Sequence, residues 1–532
     1  MNDEVDVLIV GAGFGGMYML HKVRELGLSA QVFEAGDGVG GTWYWNRYPG
    51  ARCDVESLEY SYSFDAELQQ EWKWSERYTS QPEILEYANH VADRFDLRRD
   101  IEFSTRVEHT HWNEATNRWG VSTDTGRTCS AQFVVMATGC LSSANVPDFP
   151  GIDDFAGEVY HTGRWPHEGV DFAGKRVGVI GTGSSGIQSI PVIAEQCADL
   201  TVFQRTPNYS IPAHNGSIDS QYEAEVKADY AEFRDENRQM NGGFGARSGF
   251  HDEPSIGYAE EERRARFEQQ WQRGGFAFMR AFNDLMIDDT SNATARAFVR
   301  DKIAAVVDDP ETAALLTPVP TQVIGCKRIC LDTYYFETYN HDHVHLVDVS
   351  TAPIETFTPT GLRTGGVEYD FDCVVLATGF DAMTGTLTRI DIRGVDDEAL
   401  TDAWSAGPVN YLGLQVPGFP NLFTITGPGS PSVLTNMIVA IEHHVEWISD
   451  CIEHLAATGL STISAAPDAA ATWVDHVNDV ADMTLMPTCN SWYLGANIPG
   501  KTRVFMPLIG LPPYAEKCTE VAQAGYEGFI LA

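Results

Sequence analysis

Residues 5–16, VDVLIVGAGFGG, open the chain with an apolar, β-branched run that ends in Gly11-Ala12-Gly13-Phe14-Gly15-Gly16 and leads into the helical pattern MYMLHKVREL. This is GxGxxG in its required setting of strand, tight turn and helix. The glycines let the backbone approach a pyrophosphate, and the unpaired N–H groups of the helix N-terminus favour an anion there. A second strand, SAQVFE, ends at Glu34, 21 residues beyond Gly13. A carboxylate at that position accepts hydrogen bonds from both ribose hydroxyls, so the ligand has a free 2′-OH, as FAD or NAD has and NADP lacks.

Residues 175–186, KRVGVIGTGSSG, repeat the pattern with Gly181, Thr182, Gly183, Ser184, Ser185 and Gly186, followed by a helix that carries Gln188. Here the next strand, DLTVFQ, ends in Gln204-Arg205-Thr206 instead of an acid. A cation and a hydroxyl in that place suit a 2′-phosphate, so the second site is expected to take NADPH. Two further strands, FVVMATG at 133–139 and VVLATG at 374–379, end in glycine turns where the chain is expected to cross between lobes.

The predicted fold class is α/β, with two Rossmann-like dinucleotide-binding domains and a helical insertion. The FAD-binding domain is expected over 1–145 and 385–532, and the NADP-binding domain over 150–220 and 322–384. Residues 221–321, rich in Glu, Ala, Arg and Gln, form the insertion, either a wall of a substrate cavity or a solvated decoration. A length of 532 residues with 43% hydrophobic content supports two or three cores.

The formal charge of −39, from 36 basic and 75 acidic residues, argues against general affinity for nucleic acid or anionic membranes. Any phosphate site must collect its few cations locally. The ten cysteines are scattered, with no CxxC pair, and the closest two are Cys326 and Cys330. That scatter fits a reducing, cytoplasmic setting. No apolar run approaches the ~20 residues of a membrane helix. His341, His343 and His345 alternate as on a strand but lack an indicated further ligand, so no metal is expected. Glu442-His443-His444-Val445-Glu446 lacks metal-ligand spacing and reads as a polar helix face.

Residues 40–54, GGTWYWNRYPGARCD, place Trp43, Tyr44 and Trp45 beside the first fingerprint, as the walls of a flavin pocket or as plain core. Asp54 is the member that a core does not favour, because a carboxylate among aromatics needs a partner.

Between the fingerprints lies FAGEVYHTGRWP, with Phe155, Gly157, His161, Trp165 and Pro166 spaced as FxGxxxHxxxWP. With both fingerprints around it, this segment resembles that of the Baeyer–Villiger monooxygenases, class B flavoproteins, most similarly their phenylacetone and steroid monooxygenase branch. The likeness extends through GCKRICLDTYYFETYN at 325–340, ATGFDAMTG at 377–385, GPGSPSVLTNM at 427–437 and NSWYLGANIPGK at 490–501. It implies FAD and NADP(H) as cofactors, and NADPH- and O2-dependent conversion of ketones to esters or lactones through a flavin C4a-peroxide, with sulfoxidation as a side activity. By motif match Arg328 is the catalytic arginine, and Asp54 its paired carboxylate. Lys327 joins Arg205 and Thr206 at the 2′-phosphate, and Trp492 lies on a loop that folds over NADP. Thr42, Trp43, Trp45, Tyr60, Val107 and Met437 are implied FAD contacts, with the backbone of Arg52 and Asp54 near NADP. His161 is expected to be structural, at a joint between lobes. The alternatives left open are an N- or S-hydroxylating relative and a non-catalytic NADPH-binding flavoprotein. A ketone and O2 are the expected small-molecule partners, with no obligate protein partner.

Overall fold

Two parallel-centred sheets carry the two fingerprints in the computed structural model of the protein, which describes residues 3–502, 506 and 509–532. In the larger sheet, of eight strands, Asp3–Val10 lies between Ala30–Phe33 and Thr128–Met136, parallel to both. Val7, Leu8 and Ile9 are fully buried, so successive residues are covered on both faces. This is why the strand reads as a continuous apolar run instead of an alternation. Arg118–Thr123 and Val107–Asn113 extend the sheet antiparallel. The chain then leaves and returns much later: Asp391–Arg393 pairs with Val107–Asn113, and Leu422–Thr424 with Thr128–Met136.

The second sheet orders its five strands as Val344–Asp348, Asp199–Gln204, Arg176–Ile180, Cys373–Leu376 and Glu158–His161, all parallel. Here too the central strands are buried on both faces, with Val177, Val179, Val374 and Val375 fully covered. The two fingerprints use the same packing device. Gly11 (φ +102°) and Gly181 (φ +112°) turn where a Cβ would stand 2.7 Å from the Ala137 carbonyl oxygen and 2.5 Å from that of Ala377. Those alanines belong to the two ATG turns, so each glycine motif is braced by the turn of a neighbouring strand. Only glycine tolerates both the φ and the approach.

Between the sheets in sequence, Ser220–Ala228, Tyr230–Arg238, Glu260–Arg273, Asp289–Val306 and Pro310–Leu316 are helical. The short strands Ser210–Pro212 and Cys330–Asp332 pair in parallel at the base of this excursion, which sets Arg328 where the chain re-enters. Among the described residues no helix is long and apolar enough to cross a membrane.

Two readings of histidine-rich segments need correction. The strand begins only at Val344, so His341 and His343 precede it, and His343 instead bonds the Ala194 carbonyl through Nε2 (2.9 Å). Glu442 and His444 do not lie on a solvated face; both are buried within the 22-residue helix Met437–Thr458. Their polarity is satisfied internally. Glu442 accepts from the Ser63 amide (2.5 Å) and hydroxyl (2.6 Å), while His444 Nδ1 accepts from the Thr426 amide (2.9 Å) and Nε2 meets the Tyr514 hydroxyl (2.8 Å).

Candidate active site

A cleft of about 2340 Å³ runs between the ends of the two sheets and reaches both fingerprints. Single-ligand pockets span roughly 300–1,000 Å³, so this space holds more than one large ligand. At its first end, Gly11, Gly13 and Gly15 line the wall below helix Phe14–Glu25, and at the second Thr182, Gly183, Ser184 and Ser185 do so around the start of helix Ser184–Ala194. Neither helix has a side-chain cap, since Gly13 and Gly183 hold the N-cap positions. The first-turn N–H groups therefore have no side-chain acceptor from the cap and suit a pyrophosphate. Gly16 and Gly186 do not reach the cleft. A Cβ on either would strike the carbonyl oxygen of Gly11 or Gly181, at 1.8 and 2.3 Å, so these glycines bring the helix against its own turn.

Glu34 lines the cleft and is 5% exposed. Its Oε2 accepts the Ala12 amide (2.6 Å) and Oε1 that of Gly36 (2.7 Å), so the acid also fixes the glycine loop. Burial pushes its pKa up, against the lowering effect of those amides. Thr42, Trp43, Trp45, Tyr60, Val107 and Met437 all line the same cavity. Trp43 donates from Nε1 to the Tyr60 hydroxyl (3.0 Å) with the rings edge to face, which fixes two flat walls at right angles.

At the second end, Arg205, Thr206 and Lys327 also line the cleft. Burial, and then the charge of Arg205, push the Lys327 pKa down. Neither cation has an ion-pair partner among the described residues. Two neighbouring cations left without a carboxylate, in a chain of charge −39, leave positive charge that suits an anion. Gln188 ties this lobe to the first: its Oε1 accepts from the Tyr48 hydroxyl (2.8 Å) and its Nε2 donates to the Arg52 carbonyl (3.2 Å). The Arg52 side chain turns to Glu76 and the Tyr78 carbonyl, at 2.6 Å each.

Arg328 stands between the two ends. Nε and Nη2 donate to the two oxygens of Asp54 (2.5 and 2.6 Å), a bidentate pair across 274 residues of sequence, and Nη1 donates to the Val433 carbonyl (2.7 Å). Burial would lower its pKa, but the Asp54 carboxylate and the Tyr493 phenol hold it well above the ordinary value. The Phe276 ring from the helical excursion lies 5.3 Å from the guanidinium. This array, with two glycine cradles, a ribose-side acid and a cation pair, fits FAD at the first end and NADP at the second.

The chain was compared with known proteins. Residues 8–240 match the family model described as pyridine nucleotide-disulphide oxidoreductase. A Baeyer–Villiger monooxygenase of Pseudooceanicola batsensis is 44% identical over 532 residues, covering 99% of this chain and 96% of that protein. The chain belongs to the Baeyer–Villiger monooxygenases. A steroid monooxygenase structure bound to NADP superposes with a TM-score of 0.94 at 54% identity, covering 99% of both chains. A closed structure of cyclohexanone monooxygenase gives 0.96 at 43% identity, covering both chains completely.

Three partners of Arg328 in this monooxygenase escaped sequence reasoning. Phe276 carries no sequence signal, whereas Val433 lies in GPGSPSVLTNM and Tyr493 follows Trp492, both in motifs already singled out. Trp492 lines the cleft. Its neighbours Tyr493 and Leu494 are buried in a cluster with Cys140, Cys326 and Val433. The sequence reading, of scattered cysteines in a reducing setting, did not foresee a disulfide: Cys326 is joined to Cys489, and Cys330 is a free, buried thiol. One three-ligand group was missed, His109, His111 and Asp391, where both imidazoles meet Asp391 Oδ2 (3.3 and 3.1 Å) while Arg393 occupies Oδ1. His161 is buried at the base of the second sheet, its Nδ1 accepting the Gly163 amide (2.9 Å) and Nε2 facing the Asn145 carbonyl (3.2 Å).

Proposed function

We propose that this monooxygenase converts ketones to esters or lactones with NADPH and O2, and that Arg328 and Asp54 are the residues around which the reaction is built. The bidentate pair at the meeting point of the two cradles carries this reading. When bound, FAD supplies the activated oxygen and NADPH the hydride that charges it.

The chain's own residues do the rest. A guanidinium stays charged at any working pH. Asp54 and Val433 use three of the five N–H groups of Arg328, and the remainder are available to Tyr493 and to an anion in the cleft. Preorganised in this way, the cation offsets negative charge that develops on oxygen without having to reorient during the reaction. Asp54 fixes the plane of the fork and offsets its charge. Arg205 and Lys327 hold the 2′-phosphate and thereby select NADPH over NADH. Trp492, with the segment 490–501, excludes water from the reacting end of the cleft.

The two sheets support a division into an FAD-binding part, 1–145 with 385–532, and an NADP-binding part, 150–220 with 322–384. The helical part, 221–321, reaches the site through Phe276. Bulky aryl, cyclic or steroid-like ketones are the substrate class suggested by the branch resemblance.

The test is incubation of purified protein with NADPH, ¹⁸O2 and phenylacetone or cyclohexanone, followed by mass spectrometry. One labelled oxygen in the ester or lactone is the expected result. Ketone-dependent loss of NADPH without either product would overturn the reading.

A further inference from the structure

Of the ten cysteines, eight are free, and one pair is joined across 163 residues with its Cα atoms 6.2 Å apart. That pair is placed at the site. Cys326 directly precedes Lys327 and Arg328, and Cys489 directly precedes the segment that carries Trp492. Both cysteines line the cleft, and both sulfurs lie within 3.5 Å of the Leu485 carbonyl oxygen.

The bond therefore ties the strand entry that presents the site arginine to the segment crossing the cleft. Other contacts on that segment are non-covalent: Asn497 Nδ2 to the Phe380 carbonyl (2.8 Å), Lys501 Nζ to Asp381 (2.5 Å) and the Ala382 carbonyl (2.6 Å), and the Leu485 amide to the Met286 carbonyl (2.9 Å). Hydrogen bonds of this kind open by local fluctuation. A covalent tether does not.

We propose that Cys326 and Cys489 form a peroxide-reactive thiol site, and that its disulfide state locks residues 485–501 over the cleft while its dithiol state lets them open. Cys489 is half-buried and Cys326 is 1% exposed, so the oxidant reaches Cys489 first. Its thiolate attacks hydrogen peroxide, the O–O bond breaks, and a sulfenic acid and water form after proton transfer. The Cys326 sulfur then displaces the hydroxyl as a second water and closes the S–S bond. In sum two thiols and one H2O2 give one disulfide and two H2O. An external dithiol reverses this by attacking the more accessible Cys489 sulfur, with the Cys326 thiolate as leaving group, and is itself oxidised to a disulfide. Hydrogen peroxide is the product when flavin and oxygen react without transfer to substrate, so its supply by this chain rests on the function proposed above.

Holoenzyme reduced with tris(2-carboxyethyl)phosphine and freed of reductant is treated with added hydrogen peroxide, so the test does not depend on turnover. Non-reducing peptide mapping is expected to find the 326–489 crosslink. Hydrogen exchange of amides in 485–501 is expected to be about tenfold slower in the oxidised than in the reduced protein, as the tether removes local opening. Bound NADP⁺ should leave the oxidised form severalfold more slowly. Cys489→Ser is expected to exchange fast under both conditions. The reduced wild type provides the same comparison without substitution, and Cys326→Ser is the second variant. Equal exchange in both redox states, thiols that persist at 326 and 489 after peroxide, or an unchanged peroxide response in Cys489→Ser would each overturn the proposal. Absence of ester or lactone formation would overturn only the proposed reaction, since none of these readouts requires a ketone.

Discussion

The two nucleotide cradles share one backbone and differ in how they are completed. The first completes its ribose-side acid close to its own fingerprint: the Glu34 side chain, at the end of the second strand, is held by the amides of Ala12 and Gly36. The second ends in Arg205 and, on the roles proposed above, is completed only by Lys327, which arrives after the whole helical excursion. The residue that completes it is the immediate neighbour of Arg328, whose side chain turns to Asp54 in the first lobe. One cradle is thus a fixed seat. The other shares its backbone with the reacting centre, so NADP binding and the position of the site arginine are linked through a single peptide.

The strongest way to break that arrangement is Arg328→Ala. Product formation is expected to fall by about 10²–10³-fold, the loss typical of removing one preorganised charge-stabilising group. NADPH oxidation should continue without product, because both cradles remain. Equal loss of NADPH oxidation and product would show that the arginine serves the second cradle alone.

Arg205→Ala and Lys327→Ala sharpen the contrast between cradles. Each removes a charge-assisted contact worth about 1.5–3 kcal/mol, so kcat/KM for NADPH should fall roughly ten- to hundredfold. With NADH, which lacks the 2′-phosphate, kcat/KM should hardly change for Arg205→Ala. A parallel drop with both coenzymes would mean that this residue does not read the phosphate. Lys327→Ala should in addition lower coupling to product, because it borders Arg328.

Glu34→Ala addresses the first cradle. It leaves the Ala12 and Gly36 amides without their acceptor in a buried loop, a cost of about 1–3 kcal/mol. The protein should emerge from gel filtration with less bound flavin and a lower melting temperature, while its preference for NADPH over NADH stays the same. A changed coenzyme preference would contradict the separation of the two seats.

The same contrast explains what the sequence made legible. Both fingerprints, with their strands and helices, follow from spacing over some thirty residues, and the ATG turns mark where each is braced. The pairing of Arg328 with Asp54 came from resemblance, since no local pattern joins residues 274 apart. The Cys326–Cys489 bond was illegible for the same reason, since scattered cysteines were read as fitting a reducing setting. Gly16 and Gly186 were assigned to ligand because a motif names its members together, although their task is to seat the helix on its turn. Glu442 and His444 look solvated in a string because polar residues usually are. Their burial depends on Ser63 and Tyr514, from distant segments, to satisfy each polar atom.

A smaller effect distinguishes the lobes by acidity. Each holds a buried histidine that accepts a backbone amide through Nδ1, His161 from Gly163 and His444 from Thr426. That bond requires the neutral ring. Burial lowers the His161 pKa, with Arg164 acting in the same direction and the Asn145 carbonyl opposing. On acidification the unfolded chain therefore takes up this proton first. The stabilisation is complete above about pH 6.5 and is lost as the pH falls toward the folded value. His161→Asn keeps a short acceptor for the Gly163 amide but does not titrate. Its deficit against wild type, measured by denaturant titration, should be largest at pH 7.5 and shrink as the pH falls to 5.5. His444→Asn should show the same sign in the first lobe, where burial holds the pKa well below the ordinary value and His443 adds to the effect. If the deficit of His161→Asn stayed constant or widened on acidification, the ring would be charged in the folded protein, and the joint between the lobes would rest on an ion pair instead of a neutral hydrogen bond.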